Sequence, residues 1–278
     1  MNAVSASPDA VRAEARAALE RFGRLSDGSI DIAEAALAFA RIDQPEADIA
    51  PAAAHLADLA RAAATLSAAT GAEERALALR GLIVSGHGYS GDTAHYDDPA
   101  NANLIRVVER RRGLPVALGI VWLHAAAAAG FDAWGIDFPA HFLLGIGGEG
   151  EAVALDIFDA GLIREEDELA AMLARIAGPA ATLGPEHMRP MATRDVLLRL
   201  QNNLRLRRAA AGDLAGALAA AEDMLRLAPD AAPLWRETAL LAERAGHTGS
   251  AIGAWEKLRV LGSAEAEAAL ARLKRRLN

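Results

Sequence analysis

A repeat of 34 residues in the last third of the chain constrains the fold more than any other feature. Four pairs of residues share this period in one register: Gly212 and Gly246, Ala217 and Ala251, Leu218 and Ile252, and Ala221 and Trp255. Such a period is typical of paired antiparallel helices, with a glycine near the turn and a small residue where the helices approach closely. Residues 193–278 are therefore predicted to form a C-terminal pair of α-helical repeats. Because two repeats bury little surface alone, we expect them to pack on the rest of the chain or to self-associate.

The composition also favours helices. Hydrophobic residues make up 53% of the 278 residues and aromatic residues only 4%, and alanine forms runs such as Ala125–Ala129. This combination is typical of tightly packed helices rather than of a β-sandwich. No segment reaches the roughly 18 uncharged apolar residues of a membrane span, and residues 1–9 lack the pattern of a secretion signal. We therefore expect a cytoplasmic protein that does not associate with membranes.

Charge is unevenly distributed along the chain. Residues 193–278 contain 14 basic and 10 acidic residues, a net charge of +4, whereas residues 1–192 contain 15 basic and 27 acidic residues, a net charge of -12. An acidic body repels phosphate, and scattered basic residues on predicted helices are typical of solvated helix faces. Nucleic acid is therefore not an expected partner.

The chain contains no cysteine. This absence excludes disulfides, thiolate zinc sites and thiol catalysis together. Any nucleophile would have to be a hydroxyl, a carboxylate, a lysine or a histidine. No residue spacing matches a metal or cofactor motif, so neither is predicted.

Residues 1–80 are predicted to form an N-terminal helical layer. Ser7 and Pro8 form a helix-start signal, because proline is favoured in the first turn. A second helix should follow Asp31 and end near Gln44, which precedes a proline. No reactive group of residues occurs in this layer.

Residues 81–190 are predicted to form an α+β core, which together with the helical layer makes one domain of residues 1–192. The predicted elements are two helices followed by three strands: Asn103–Arg112, Pro115–Ala129, Phe131–Asp137, His141–Ile146 and Ala152–Phe158. A glycine-rich turn at residues 147–150 should join the last two strands as a hairpin. The expected core is thus one alanine-rich helix packed on an antiparallel sheet.

Residues 86–103 interrupt the helical pattern with glycines, aspartates and a proline. This loop either forms the wall of a cleft or connects two layers. Its candidate binding residues are Tyr89, Asp92 and Asn101. His87 and His95 flank Ser90 and Asp92, which would suit a serine hydrolase or a histidine–carboxylate metal site, but the spacing favours ordinary polar loop residues.

Short motifs in the core resemble the SirB family in order and spacing. They are Gly91-Asp92, Asn101, Val108–Pro115, Gly130-Phe131, Pro139–Phe142 and Asp156–Phe158. The resemblance covers nearly the whole chain. It implies a papain- or transglutaminase-like core followed by tetratricopeptide repeats, and it implies no established substrate.

The same resemblance implies roles for individual residues. In active transglutaminase-like enzymes a cysteine begins the core helix, a histidine on a later strand takes its proton, and an aspartate on the next strand orients the histidine. His141 and Asp156 match the last two roles, so they would form a vestigial dyad. The thiol position falls around Pro115, within residues 115–117, and Ala140 stands where many family members have glycine.

Three functional hypotheses are consistent with these features. The missing thiol favours a non-catalytic, transglutaminase-like protein that acts as an interaction or regulatory module, with the repeats binding a protein or peptide partner. The alternative is a hydrolase or acyl-transfer enzyme that uses His141 and Asp156 with a non-cysteine nucleophile, such as Ser90, a bound water or a group from a partner. In a third hypothesis the repeats form only a homo-oligomer.

Overall fold

The computed structural model describes residues 7–277, so the first six residues of the predicted N-terminal layer lie outside the described residues. The chain divides into two compact units. The first unit comprises the residues up to Ala15 together with Ser26–Leu200. The second comprises Arg16–Leu25 together with the residues from Gln201 onward.

The first unit contains helices and all of the strands, and the second contains helices. The helices are α1 (Pro8–Gly23), α2 (Ile32–Asp43), α3 (Ala50–Ala63), α4 (Ala72–Arg80), α5 (Leu104–Arg110), α6 (Pro115–Ala129), α7 (Glu166–Ala177), α8 (Thr193–Ala210), α9 (Leu214–Leu227), α10 (Ala232–Arg244), α11 (Thr248–Val260) and α12 (Ala264–Leu277). The strands are β1 (Ser90–Gly91), β2 (Arg112–Gly113), β3 (Ala133–Ile136), β4 (Leu143–Gly147), β5 (Ala152–Asp156), β6 (Leu162–Arg164) and β7 (Pro190–Met191).

Helices α1 and α2 begin where the sequence predicts, and α2 also ends there. Helix α1 starts at Pro8. Helix α2 starts after Asp31, whose side chain accepts a hydrogen bond from the Glu34 amide at 2.9 Å and so caps the helix. Gln44 follows its last residue. The local start and stop signals therefore determine these two helices.

The core sheet contains β3–β7 in the order β6-β5-β4-β3-β7, and every pair of neighbours is antiparallel. One face packs on α6, where a side chain on Gly119 would overlap the ring of Phe142 and lie 3.2 Å from Ile157. The other face packs on α7, where Leu143 and Ala154 join Leu169, Met172 and Leu173 in a buried cluster. The predicted helix-on-antiparallel-sheet core is confirmed.

Helix α7 and strands β1, β2, β6 and β7 were not predicted, and one predicted helix is shorter. Strands β1 and β2 have only two residues each, whereas α7, β6 and β7 lie in residues 162–191, which lack a clear alternating pattern. The predicted helix Asn103–Arg112 is observed as α5. Asn103 caps it by accepting from the Ile105 amide at 3.1 Å, and Arg111 ends it because its backbone is left-handed, with φ of 56°.

The predicted domain boundary between residues 192 and 193 differs from the division between the compact units. That division falls within α8, after Leu200. Val196, Leu197 and Leu200 are buried, and Val196 lies against Gly135 of β3. The first turns of α8 thus belong to the first unit because they complete its core.

The 34-residue period recurs in the geometry of the second unit. Helices α9 and α11 begin 34 residues apart, at Leu214 and Thr248. The glycines before them, Gly212 and Gly246, both have a left-handed backbone, with φ of 82° and 75°. At these positions glycine is favoured because it has no side chain to clash. Ala217 and Ala251 are both fully buried, as close helix packing requires. No helix within residues 7–277 is long and apolar enough to cross a membrane.

Candidate functional site

The start of α6 corresponds to the thiol position that the family resemblance implies. Pro115 is the first residue of this helix, and Leu114 before it provides no side-chain cap. Val116 and Ala117 are buried, with exposed fractions of 2% and 0%. This turn therefore presents proline and aliphatic side chains where acyl transfer would need a nucleophile.

Asp92 anchors the loop that precedes α5. Its buried carboxylate accepts hydrogen bonds from the His95 amide at 2.9 Å and from the Arg110 guanidinium at 2.7 Å. The His95 amide, the Asn101 side chain and Arg110 together hold the pKa of Asp92 below its ordinary value, against the effect of burial. Arg110 also binds Asp98 at 2.9 Å. Asp92 is thus a structural ion-pair partner of α5.

Asn101 connects the same loop to the first turn of α6. Its side-chain amide donates to the His95 carbonyl at 2.7 Å, and its backbone carbonyl accepts from the Leu114 amide at 3.0 Å. The residue is fully buried, and its side-chain oxygen has no hydrogen-bond partner among the described residues. Asn101 therefore fixes where α6 begins.

Tyr89 belongs to a second cluster, which includes a histidine that the sequence did not single out. The Tyr89 hydroxyl accepts from Arg111 at 3.2 Å, and Arg111 also contacts the His55 ring nitrogen Nδ1 at 3.0 Å. Burial raises the pKa of Tyr89 to about 12. Burial, followed by Arg111 and His87, lowers the pKa of His55 to about 4. No motif pointed to His55, because it meets the cluster only through the packing of α3.

His141 and Asp156 are not joined by a hydrogen bond within residues 7–277. The Asp156 carboxylate accepts from Arg164 and from the Asp159 amide, both at 3.1 Å. The backbone carbonyl of His141 accepts from Arg199 at 2.7 Å. The histidine–aspartate contact expected of a vestigial dyad is therefore not formed in this structure.

Sheet register gives the physical reason for the Asp156–Arg164 ion pair. Asp156 of β5 lies opposite Leu162 of β6, which places Arg164 two residues from the partner of Asp156. Such diagonal neighbours are within reach of a long side chain. Because β6 was not predicted, the Asp156–Arg164 ion pair was missed.

The backbone before His141 is strained, because Ala140 has φ of 54°, a region that glycine tolerates and alanine does not. Arg199 of α8 supports this segment by binding Asp137 and the His141 carbonyl, and its guanidinium lies 5.7 Å from the centre of the Phe142 ring. Arg199 was also missed, since it enters from an element far away in sequence.

The remaining sequence candidates have ordinary structural partners. The predicted hairpin joins β4 and β5 through residues 148–151, and Gly147 pairs with Ala152 as the last residue of β4. Arg112, which follows Arg110 and Arg111, donates to the Gly88 carbonyl at 2.9 Å. His95 lies 3.7 Å from Asp92, whereas His87 packs on His55. Within residues 7–277, no group of three or more histidine and acidic residues could hold a metal ion.

Comparison with known proteins places this fold and site in a class. Residues 50–202, more than half of the chain, match the model of the transglutaminase-like superfamily, and the chain belongs to that superfamily. A UPF0162 protein of Vibrio cholerae is 35% identical over 163 residues, which are 58% of this chain and 60% of that protein. A UPF0162 protein of Pseudomonas aeruginosa is 30% identical over 170 residues, 60% of each chain. The chain thus spans about three fifths of the length of these bacterial relatives.

A shorter similarity extends to a larger mammalian protein. F-box only protein 21 of mouse is 32% identical over 71 residues, which are 26% of this chain and 11% of that protein.

Proposed function

We propose that the chain is a non-catalytic member of the transglutaminase-like superfamily that acts as a cytoplasmic protein-interaction or regulatory module. The observation that carries this proposal is the first turn of α6, where Pro115, Val116 and Ala117 provide no nucleophile. The contacts of Asp156 support it, because its carboxylate accepts from Arg164 and the Asp159 amide and has no hydrogen bond to His141 within residues 7–277.

We further propose that the second unit is a pair of tetratricopeptide-like repeats, as the resemblance to the SirB family implies. The equal spacing of the α9 and α11 starts and the matching left-handed glycines, Gly212 and Gly246, support this proposal. Paired helices of this kind offer an extended surface for a peptide or a helix of a partner. In this proposal the repeats bind the partner, and the core is a scaffold.

The alternative is a hydrolase or acyl-transfer enzyme that uses His141 and Asp156 with a non-cysteine nucleophile. For this enzyme, the His141 ring would have to reach the Asp156 carboxylate, which is held by Arg164 in an ion pair whose two side chains are only 14% and 19% exposed. The need for this rearrangement favours the non-catalytic proposal.

Cross-linking of the tagged, full-length chain in native cell extract tests the proposal, with the cross-linked positions mapped by mass spectrometry. We expect partner cross-links on residues 201–277. We also expect the His141→Ala variant to capture the partner as well as the unchanged chain does. Cross-links concentrated around His141 and residues 86–103 would contradict the proposal. Turnover of a peptide or ester that is abolished by His141→Ala would establish the enzyme instead.

A further inference from the structure

The outer face of α9 is covered by a helix of the same chain. Arg16, in the last part of α1, binds the Asp223 carboxylate at 2.8 Å, and Asp223 is only 2% exposed. Glu20 pairs with Arg226. At Gly23 the two helices are so close that a side chain would overlap the Arg226 carbonyl. One helix of the repeat unit therefore already binds another helix by an ion pair to a buried carboxylate and by close backbone contact.

The corresponding face of α11, 34 residues later, has no such cover in the described part of the chain. Gly253, Lys257 and Val260 correspond by this period to Ala219, Asp223 and Arg226. They lie on one face of α11, since they are spaced by four and three residues. Val260 is 75% exposed, and a side chain on Gly253 would meet no atom within 4 Å.

A groove of about 550 Å³ runs beside this face. Its walls come from the end of α1, at Gly23 and Arg24, and from α11, at Gly253 and Ala254. Trp235 also lines it, and the indole N–H donates to the Pro229 carbonyl at 2.8 Å, which fixes the ring. A pre-oriented tryptophan beside a groove of this size is a typical anchor point at interfaces.

The charge at the centre of the equivalent face is reversed. Asp223 of α9 takes a cation from its covering helix, whereas α11 has Lys257 at that position. The carboxylate that the structure pairs with Lys257 is Asp230, at 3.9 Å, and Asp230 is 85% exposed. Such a solvated pair contributes little and is easily exchanged. A helix that covers α11 in the manner of α1 would therefore present a carboxylate where α1 presents Arg16.

We propose that this open face, formed by Gly253, Lys257 and Val260 with the Trp235 groove, binds an amphipathic helix of a partner protein. The helix places an acidic residue on Lys257 and an adjacent apolar side chain in the groove. This inference rests on the proposed function, because it names the repeat face and the class of partner through which the module acts.

A photo-activated benzophenone amino acid at Gly253 of the full-length chain tests this proposal in native cell extract. The same amino acid at Ala219, the equivalent position on the covered helix, is the matched control, and a third variant carries it at Leu206, an exposed residue of α8. We expect Gly253 to cross-link a partner segment with helical apolar spacing and an acidic residue. Lys257→Glu should lower the yield at least tenfold, and Lys257→Arg should retain it. The Ala219 variant should cross-link only within the chain.

Each other outcome overturns a defined part of the reasoning. Partner cross-links from Leu206 but none from Gly253 would overturn this inference and leave the proposed function standing, whereas none from either position would overturn both. Cross-links from Gly253 to a second copy of this chain would replace the partner with self-association. A yield that Lys257→Glu does not change, or a mapped segment without an acidic residue, would refute the recognition by charge.

Discussion

The ion pair between Asp156 and Arg164 provides the sharpest test of whether Asp156 interacts with Arg164 or with His141. Removing the carboxylate by Asp156→Ala breaks two hydrogen bonds, from Arg164 and from the Asp159 amide. Hydrogen bonds to charged groups contribute about 1.5–3 kcal/mol each when buried. Arg164 keeps contacts with Asp159 and Glu168, which limits the penalty of leaving it unpaired. We therefore expect a loss of about 2 kcal/mol in the free energy of unfolding.

His141→Ala should cost far less, below about 0.5 kcal/mol, because the ring is not hydrogen-bonded within residues 7–277 and the Arg199 contact uses the backbone carbonyl. Double-mutant cycles measure separately how strongly Asp156 interacts with Arg164 and with His141. The coupling energy with Arg164, measured with Arg164→Met, should be about 1–2 kcal/mol, and the coupling energy with His141 should be close to zero.

Urea unfolding gives the global free energies, and amide hydrogen exchange in β4 and β5 gives the free energy of opening at the sheet itself. A coupling energy above about 1 kcal/mol between Asp156 and His141, with none between Asp156 and Arg164, would refute the reasoning. It would mean that the dyad forms in solution, and the enzyme alternative would gain support. Equal and negligible losses from all three single variants would show that the ion pair is not stabilising.

Three further predictions concern backbone strain, packing and pH. Ala140→Gly should stabilise the protein by about 0.5–1 kcal/mol, because it relieves the left-handed backbone strain. The same change at Ala54, an exposed helical residue, should destabilise it by about 1 kcal/mol. Stability changes of the same sign for the two variants, measured by thermal unfolding, would contradict this prediction. Gly119→Ala should destabilise the protein by about 2 kcal/mol, because the added methyl group overlaps an aromatic ring. Gly249 is also in a helix but faces open space, so Gly249→Ala should be neutral or stabilising by up to about 1 kcal/mol. A Gly119→Ala variant that is more stable than the unchanged protein would show that the core repacks freely. The pKa of His55 in the folded protein is about 4, below the ordinary 6.5, so the unfolded chain binds the proton first and the protein loses stability as the pH falls from 6.5 to 4. The His55→Asn variant should lose less stability over the same pH range. An NMR titration that places the His55 pKa above 6 would contradict the prediction.

The sequence by itself determined the features that depend on short-range signals. Pro8, Asp31 and Pro115 begin their helices as predicted, since first-turn prolines and side-chain caps act within a few residues. The predicted hairpin between β4 and β5 forms for the same reason. The absence of cysteine excluded thiol chemistry without any knowledge of the fold.

The partners of the candidate residues were decided only by the tertiary structure. Asp92 binds Arg110, Tyr89 binds Arg111, and Asp156 binds a residue of a strand that the sequence pattern did not reveal. Each contact depends on strand register or on helices that meet across many residues of chain, and neither is encoded in local spacing. A motif can therefore specify which side chains are present at the core, but the long-range packing of the sheet and helices selects which of them meet, and that selection pairs Asp156 with Arg164 here.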